Sequence, residues 1–585
     1  MTRSLPRATQ EAHLHRELAA LESSIAGEEM AGLTPDPEFV RRRSELRSQL
    51  GIPGDTNRHH RNGIVELRPA RDAGAVGHDS SSDEAKVPRL NLGGADQILD
   101  LVAEMQCAGS LKLFHDLSGD PYVTVSAPVV AGSRTLDVRS KDFERIVLGT
   151  LIGRQRKAGN RVRAVTQAAW TDASRTLAAL AVHEGPSLPV YSRVARIEDP
   201  SRIVVDLGDE NGRAVEVTSE GWCVTEEAPV AFRRPPSMRP LPVPAVRGDC
   251  ELLRRYVHVS DTSYPLVLAW IVNALAGTVP FALLVLYGEQ GSAKSTSARF
   301  IRRLVDPGHP DLRALPRDER DLLIAADNNY LLAFDNLSGL DSRSSDALCR
   351  LSDGSGFGTR RLYSDREEET FSGARPILLT GIEPAANAAD LLDRSYLVEA
   401  PRIADTERRG ERELFAAFER DRPRIFGSLL DAVSTGLAQL DAVVLKEAPR
   451  REDAARFAIA AEPGLGLQPG TIRTSLEITR QQAMTVATES SPFVEAVLEL
   501  IEEKGSFEGT MKDLLALLNE RRGDSKPARG WPSGSVAGSR ALHRGAPVLR
   551  GQGVDVEFLG PSGKQRERLW RLGLQNAIRV HEEAL

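Results

Sequence analysis

Phe281-Ala-Leu-Leu-Val-Leu-Tyr287, running directly into Gly288-Glu-Gln-Gly-Ser-Ala-Lys294-Ser295-Thr296, decides the fold. An unbroken apolar run of this length, closed by a glycine, reads as a strand buried on both faces. The residues after it, with Ser297, Ala298, Ile301 and Leu304 at helical spacing, read as a helix. Strand, tight turn and helix start make a cradle for phosphate, because backbone N–H groups and the positive helix end converge there. The spacing G-x-x-x-x-G-K-[ST] is met except that Ala293 takes the second fixed glycine, while Gly291 supplies flexibility within the loop. Gly288, Glu289, Gln290, Gly291, Ser292, Ala293, Lys294, Ser295 and Thr296 are therefore the expected nucleotide-binding residues. Lys294 would neutralise the β- and γ-phosphates of ATP, and the Ser295 hydroxyl would hold Mg²⁺.

Such a loop needs an acid at the end of a second buried strand. Tyr330-Leu-Leu-Ala-Phe-Asp335-Asn336 supplies it, with Asp335 the second expected Mg²⁺ ligand. Asn336 stands where a glutamate often polarises the attacking water. An amide cannot act as a base, so Asn336 would only orient the water. A third strand, Pro376-Ile-Leu-Leu-Thr380-Gly381, offers Thr380 as a polar sensor, and Arg394 lies just before a strand-like Tyr-Leu-Val-Glu. Between the acid strand and the sensor strand, Thr359-Arg360-Arg361-Leu362 and Thr370-Phe371 flank an acidic tip, Arg366-Glu-Glu-Glu369, as the arms of a β-hairpin.

Outward from this centre, the helix–strand–turn–helix–strand order over 246–440 indicates an α/β core with a parallel sheet. The apolar stretch 265–287 is broken by Gly277, Thr278 and Pro280, so a helix ending near Ala276 is expected rather than a membrane span. Residues 1–50 read as helical, 51–91 as a flexible linker, and 92–245 as an α+β accessory domain closed by the Pro-rich stretch 235–245. Within that domain, helices are expected over 141–158 and 161–183. Asp116, Asp120, Asp137 and Asp206 are acids whose spacing is not diagnostic of a metal centre. Residues 441–490 read as a helical connection and 491–585 as a separate C-terminal unit of helices and two strands.

The chain has 585 residues, 75 Lys plus Arg and 82 Asp plus Glu, for a net charge of −7. Bulk charge therefore does not drive nucleic-acid binding; local patches would have to. Residues 520–571 hold eleven Lys or Arg against five Asp or Glu, a local +6. Arg540, Arg544 and Arg550 near a helix, and Lys564, Arg566 and Arg568 near a strand pair, are the expected DNA contacts. The four cysteines, Cys107, Cys223, Cys250 and Cys349, form no CxxC pair and read as small core residues of a cytoplasmic protein. The start of the chain has no apolar signal-peptide core, so none is expected.

The motif order 288–295, 335, 380 and 394, a hairpin before the sensor strand and a winged-helix-like C-terminus resemble the superfamily 3 helicases of phages, plasmids and poxviruses. The resemblance covers about 250–440 well and the C-terminus loosely. It implies an AAA+-type ATPase acting as a hexameric ring, with Arg394 completing the neighbour's site and hairpins, through Arg360 and Arg361, tracking single-stranded DNA. The acidic hairpin tip and the Asp335-Asn336 pair depart from that pattern. They leave open a second class of function, a nucleotide-gated switch. A compact small-molecule kinase is disfavoured by the long flanking regions.

Overall fold

The computed structural model describes residues 93–574, apart from 199–200, 356, 361–367, 372, 382–388, 405, 407, 446–450, 490, 524–525, 529 and 563–566. The expected helical segment 1–50, the linker 51–91, Arg361, Lys564, Arg566 and residues 366–367 of the hairpin tip lie outside the described residues.

The described chain opens with α1 (Gly94–Cys107), the antiparallel strands β1 (Leu111–His115), β2 (Pro121–Val125) and β3 (Arg134–Asp137), then α2 (Lys141–Lys157) and α3 (Gln167–His183). These six elements enclose their own core around Ile98, Phe143, Trp170 and Leu177. Helix α3 begins six residues later than the apolar spacing suggests. The side chain of Thr166 caps it by accepting from the Ala169 N–H at 3.2 Å. Asp116 accepts the backbone N–H groups of Ser118 and Asp120, both at 2.9 Å, and so closes the β1–β2 turn.

The next strands are β4 (Val190–Tyr191), β5 (Val194–Ile197), β6 (Arg202–Asp206), β7 (Ala214–Thr218), β8 (Gly221–Thr225) and β9 (Ala231–Phe232). β5 to β8 form an antiparallel meander, its central hairpin turning through 208–212. Buried Arg193 ties this sheet to the following unit. Its guanidinium donates to Asp306 at 2.9 Å and to the carbonyls of Asp206 and Arg239. The Asp206 carboxylate is itself fully buried and paired with Arg234 at 2.5 Å, a structural ion pair.

Helix α4 (Tyr264–Ala276) is buried at every position and stops at Gly277, whose φ of 63° only glycine adopts cheaply. No helix among the described residues is long and apolar enough to cross a membrane. Then come β10 (Leu283–Tyr287), α5 (Lys294–Val305), α6 (Glu319–Asp327), β11 (Leu332–Leu337), α7 (Ser342–Asp353), β12 (Phe357–Arg360), β13 (Glu368–Phe371), β14 (Ile377–Gly381), the single turn α8 (Ala389–Leu392) and β15 (Ser395–Glu399). The parallel sheet has the order β11–β14–β10–β15, as the α/β expectation required. Leu284 and Leu286 of β10 face a core with Trp270, Phe300 and Phe426, while Leu283 and Val285 face one with Phe334, Leu348 and Phe493. Burial on both faces is why this strand shows no alternation. Each such side chain contributes about 1.5–3 kcal/mol. β12 and β13 pair antiparallel, Phe357 opposite Phe371 and Arg360 opposite Glu368.

The long helix α9 (Glu411–Gln439) packs on α4 and on β7 and β8, α10 (Glu452–Ala461) packs on α9 and α4, and α11 (Thr471–Glu489) packs on β15. The chain continues with α12 (Pro492–Lys504), β16 (Ser506–Thr510), α13 (Met511–Arg522), α14 (Ser535–Gly551), β17 (Val554–Ser562) and β18 (Glu567–Leu574). The last three strands form one antiparallel sheet in the order β16–β18–β17. The cysteines split: Cys250 and Cys349 are buried, whereas Cys107 and Cys223 are exposed, against the core reading of all four.

Candidate nucleotide site

The segment between β10 and α5 is fixed by backbone geometry. Gly288 has a φ of 150°, and a Cβ there would stand 2.3 Å from the Ala400 carbonyl oxygen. Ala400 in turn donates its N–H to the Tyr287 carbonyl at 2.8 Å, so the loop cannot retreat from β15. Ala293 sits at φ 56°, in the left-handed region, directly before the helix. This is the position at which the phosphate-loop spacing asks for glycine, and the backbone conformation shows why.

Lys294 folds back over this loop. Its ammonium donates to the carbonyls of Gly288 and Glu289, both at 2.7 Å, and to the Ser292 hydroxyl at 3.1 Å. Burial draws the Lys294 ammonium below its ordinary pKa, and the nearby Asp335 carboxylate opposes that shift. Ser292 is fully buried, so neither its side chain nor its backbone meets solvent.

Strand β14 lies between β10 and β11, and this brings Thr380 beside Asp335. Asp335 Oδ1 accepts from Ser295 Oγ at 2.7 Å and from Thr380 Oγ1 at 2.5 Å. Thr380 Oγ1 also receives the Asn336 N–H at 3.0 Å. Asn336 holds a φ of 58° where the β11–β14 register slips between Phe334 and Leu337. Asparagine is among the few residues that tolerate this backbone; a glutamate would be strained in it. A cavity of about 530 Å³ opens beside Asp335 and Asn336, walled by Arg299, His309, Asp311 and Arg313.

Arg394 stands elsewhere. Ser395 pairs with Leu283 and Glu399 with Tyr287, so Arg394 precedes the end of β15 remote from the loop. Four strand steps at about 3.3 Å each separate the two ends. Its guanidinium is mostly buried and paired with Asp353, which also pairs with Arg451.

Several neighbours of the loop lie outside its motif. The Arg408 guanidinium lies against Gly291, 3.0 Å from where a Cβ would be. Arg299, five residues past Lys294, pairs with Glu411 at 2.6 Å. The local sign of the first is the run Arg408-Arg-Gly410 before a helix. Nothing local marks Asp353 as the partner of Arg394, because the two are far apart in the chain.

In the C-terminal unit, Arg540, Arg544 and Arg568 are exposed. Arg550 is exposed too, but it bonds the Val556 carbonyl at 2.8 Å and faces Asp555, bracing α14 against β17. His543 stacks edge-on to Trp570 at 4.7 Å, beside the partly exposed Phe558. The side chain of Arg360, on β12, is outside the described residues.

Two family models match this chain. The actinomycete integrative conjugative element replication protein matches residues 250–459, and its C-terminal domain matches 493–581. Residues 250–459 and 493–581 belong to this replication-protein family. The coarse role that follows is replication of a mobile element. No curated protein matches. Among solved structures, the NrS-1 C-terminal region is 11% identical, covers 81% of this chain and 98% of its own, with a TM-score of 0.37. A JCV helicase structure is 13% identical over 35% of this chain and 66% of its own, with a TM-score of 0.19.

Proposed function

We propose that this replication protein is an ATP-dependent DNA translocase, a helicase of the mobile element, built on a P-loop ATPase core with a winged-helix-like C-terminal domain. The observation that carries this reading is the meeting of Ser295, Asp335 and Thr380 at the mouth of the Lys294 loop, where both hydroxyls stand within 2.7 Å of Asp335 Oδ1. Three polar groups from three separate segments converge where a strand, a turn and a helix start already make a phosphate cradle.

A hydroxyl and a carboxylate oxygen side by side are hard ligands that suit Mg²⁺, which keeps its remaining positions for water and phosphate oxygens. When bound there, the ion neutralises phosphate charge. Lys294 exchanges its loop carbonyls for the β- and γ-phosphates, and the N–H groups of 290–296 hold the chain of phosphates in line. Thr380 keeps the Asp335 carboxylate oriented. Asn336 orients the attacking water without taking its proton.

Arg394 cannot reach its own loop from the far end of β15, so it serves a neighbouring subunit of a ring once its pair with Asp353 opens. Arg540 and Arg568 supply phosphate contacts for DNA, with the aromatic group of His543, Phe558 and Trp570 beside them.

The test is ATP hydrolysis with and without single-stranded DNA. Strong stimulation that Lys294→Ala abolishes is the expected result. ATP binding with no DNA-dependent turnover would overturn the translocase and leave a nucleotide-gated switch. The left-handed Asn336, at the position where a base is absent, favours that second reading.

A further inference from the structure

A second cavity, of about 1030 Å³, lies by the end of β15 remote from the loop, between α11, the start of β15 and α14. Four arginines line it: Arg394, Arg451, Arg480 and Arg544. Arg394 and Arg451 are held at its floor by Asp353. Arg480 and Arg544 are exposed and, among the described residues, have no ion pair. Asp346 and Asp393 are the acids on the wall, so cations outnumber them.

Two buried polar groups there are left without partners. The Tyr396 hydroxyl has no hydrogen-bond partner although the residue is 5% exposed, and Arg451 Nε is likewise unsatisfied. Burial raises the Tyr396 pKa, which keeps the hydroxyl a neutral donor. A buried unpaired donor is costly, on the order of 1–3 kcal/mol, and calls for an acceptor. Met484, Phe493 and Val494 give the same cavity an apolar wall. Its volume is of the order that takes a small ligand.

We infer that this cleft is a second binding site, separate from the Lys294 loop, for a nucleoside phosphate. Its phosphates meet Arg480 and Arg544 at the mouth, and its base and sugar enter between the apolar wall and the Tyr396 hydroxyl. A simple fatty acid would need one cationic contact and an apolar tube, whereas here the cations stand on α11 and α14 and just before α10 and β15. The same chemistry could come from a free nucleotide or from the end of a DNA strand.

The experiment counts binding sites for ribose-labelled fluorescent ATP on the full chain. Two sites per chain are expected in the wild type, one in Lys294→Ala, and one in the Arg480→Ala, Arg544→Ala double variant. Both arginines are exposed, so the double variant keeps its fold, which circular dichroism verifies. In the Lys294→Ala background, adding the two arginine substitutions should weaken binding by about tenfold or more, as loss of charge-assisted hydrogen bonds predicts. Tyr396→Phe should weaken it by a smaller factor. Displacement of the label by a short thymidine oligonucleotide assigns the source as a strand; retention assigns it as free nucleotide. One wild-type site, lost in Lys294→Ala, overturns this second site and leaves the loop reading intact. One wild-type site, lost only in the arginine variant, overturns the loop reading and leaves this one.

Discussion

The Lys294 loop and the C-terminal basic face are built in opposite ways. In the loop, backbone conformation and close approach set the geometry, and its polar side chains already bond one another: Lys294 to loop carbonyls, Ser295 and Thr380 to Asp335. On the C-terminal face, Arg540 and Arg568 stand exposed and, among the described residues, unpaired. The first kind of site is sensitive to a single Cβ. The second is sensitive to charge and salt but hardly to packing. Substitutions can press on either side of that contrast.

The largest effect is expected at Gly288. Gly288→Ala adds a Cβ at 2.3 Å from a carbonyl oxygen of the adjoining strand end, in a backbone that disfavours side chains. Overpacking and backbone strain together should cost about 3 kcal/mol. Urea denaturation of the full chain measures it. A midpoint within error of the wild type would show that the loop is not held by this approach, and the contrast would fail on its stronger side.

How much of this was readable in the residues follows the same division. The apolar run 281–287, the Lys-Ser-Thr that follows it, Asp335 and Thr380 belong to short segments with strong local patterns, and β10, α5, β11 and β14 form at those places. The end of α4 at Ala276 was equally legible, because Gly277 breaks the helix. What the sequence could not show is long-range. Asp353, at the end of α7, pairs with Arg394 and Arg451, which stand just before β15 and α10. The meander β5–β8 shares one apolar core with α4 through Val205, Val215 and Val217, and Leu241 of the Pro-rich stretch that looked like a boundary joins it. Proline content reports local stiffness and says nothing about which surfaces pack afterwards. The left-handed backbone of Asn336 was hidden as well, since asparagine is also common in ordinary turns.

On the C-terminal side, Arg540→Ala with Arg568→Ala should weaken DNA binding without lowering stability. For duplex DNA, the slope of log affinity against log salt should fall by about 0.9 for each phosphate that an arginine no longer neutralises. Carried from 1 M down to about 0.1 M salt, that slope makes each such arginine worth about 1 kcal/mol. Titrations at several salt concentrations check it. An unchanged slope would show that these arginines do not meet phosphates, and the basic face would be a solvated surface.

The smallest effect sharpens the loop side. Ala293→Gly places glycine where the backbone is left-handed, at φ 56°. A non-glycine residue there carries a strain of roughly 1–2 kcal/mol, partly offset by the greater freedom of glycine in the unfolded chain. The net expectation is a gain of about 0.5–1 kcal/mol in urea denaturation, with nucleotide binding retained. Asn336→Gly, at φ 58°, is the internal control. Asparagine tolerates that region better than alanine does, so its gain should be the smaller of the two. If Ala293→Gly gained nothing while Asn336→Gly did, strain would sit at the Asp335 strand rather than in the Lys294 loop. The alanine would then be a neutral replacement for glycine, and the loop would owe its shape to Gly288 and the contact with Ala400 alone.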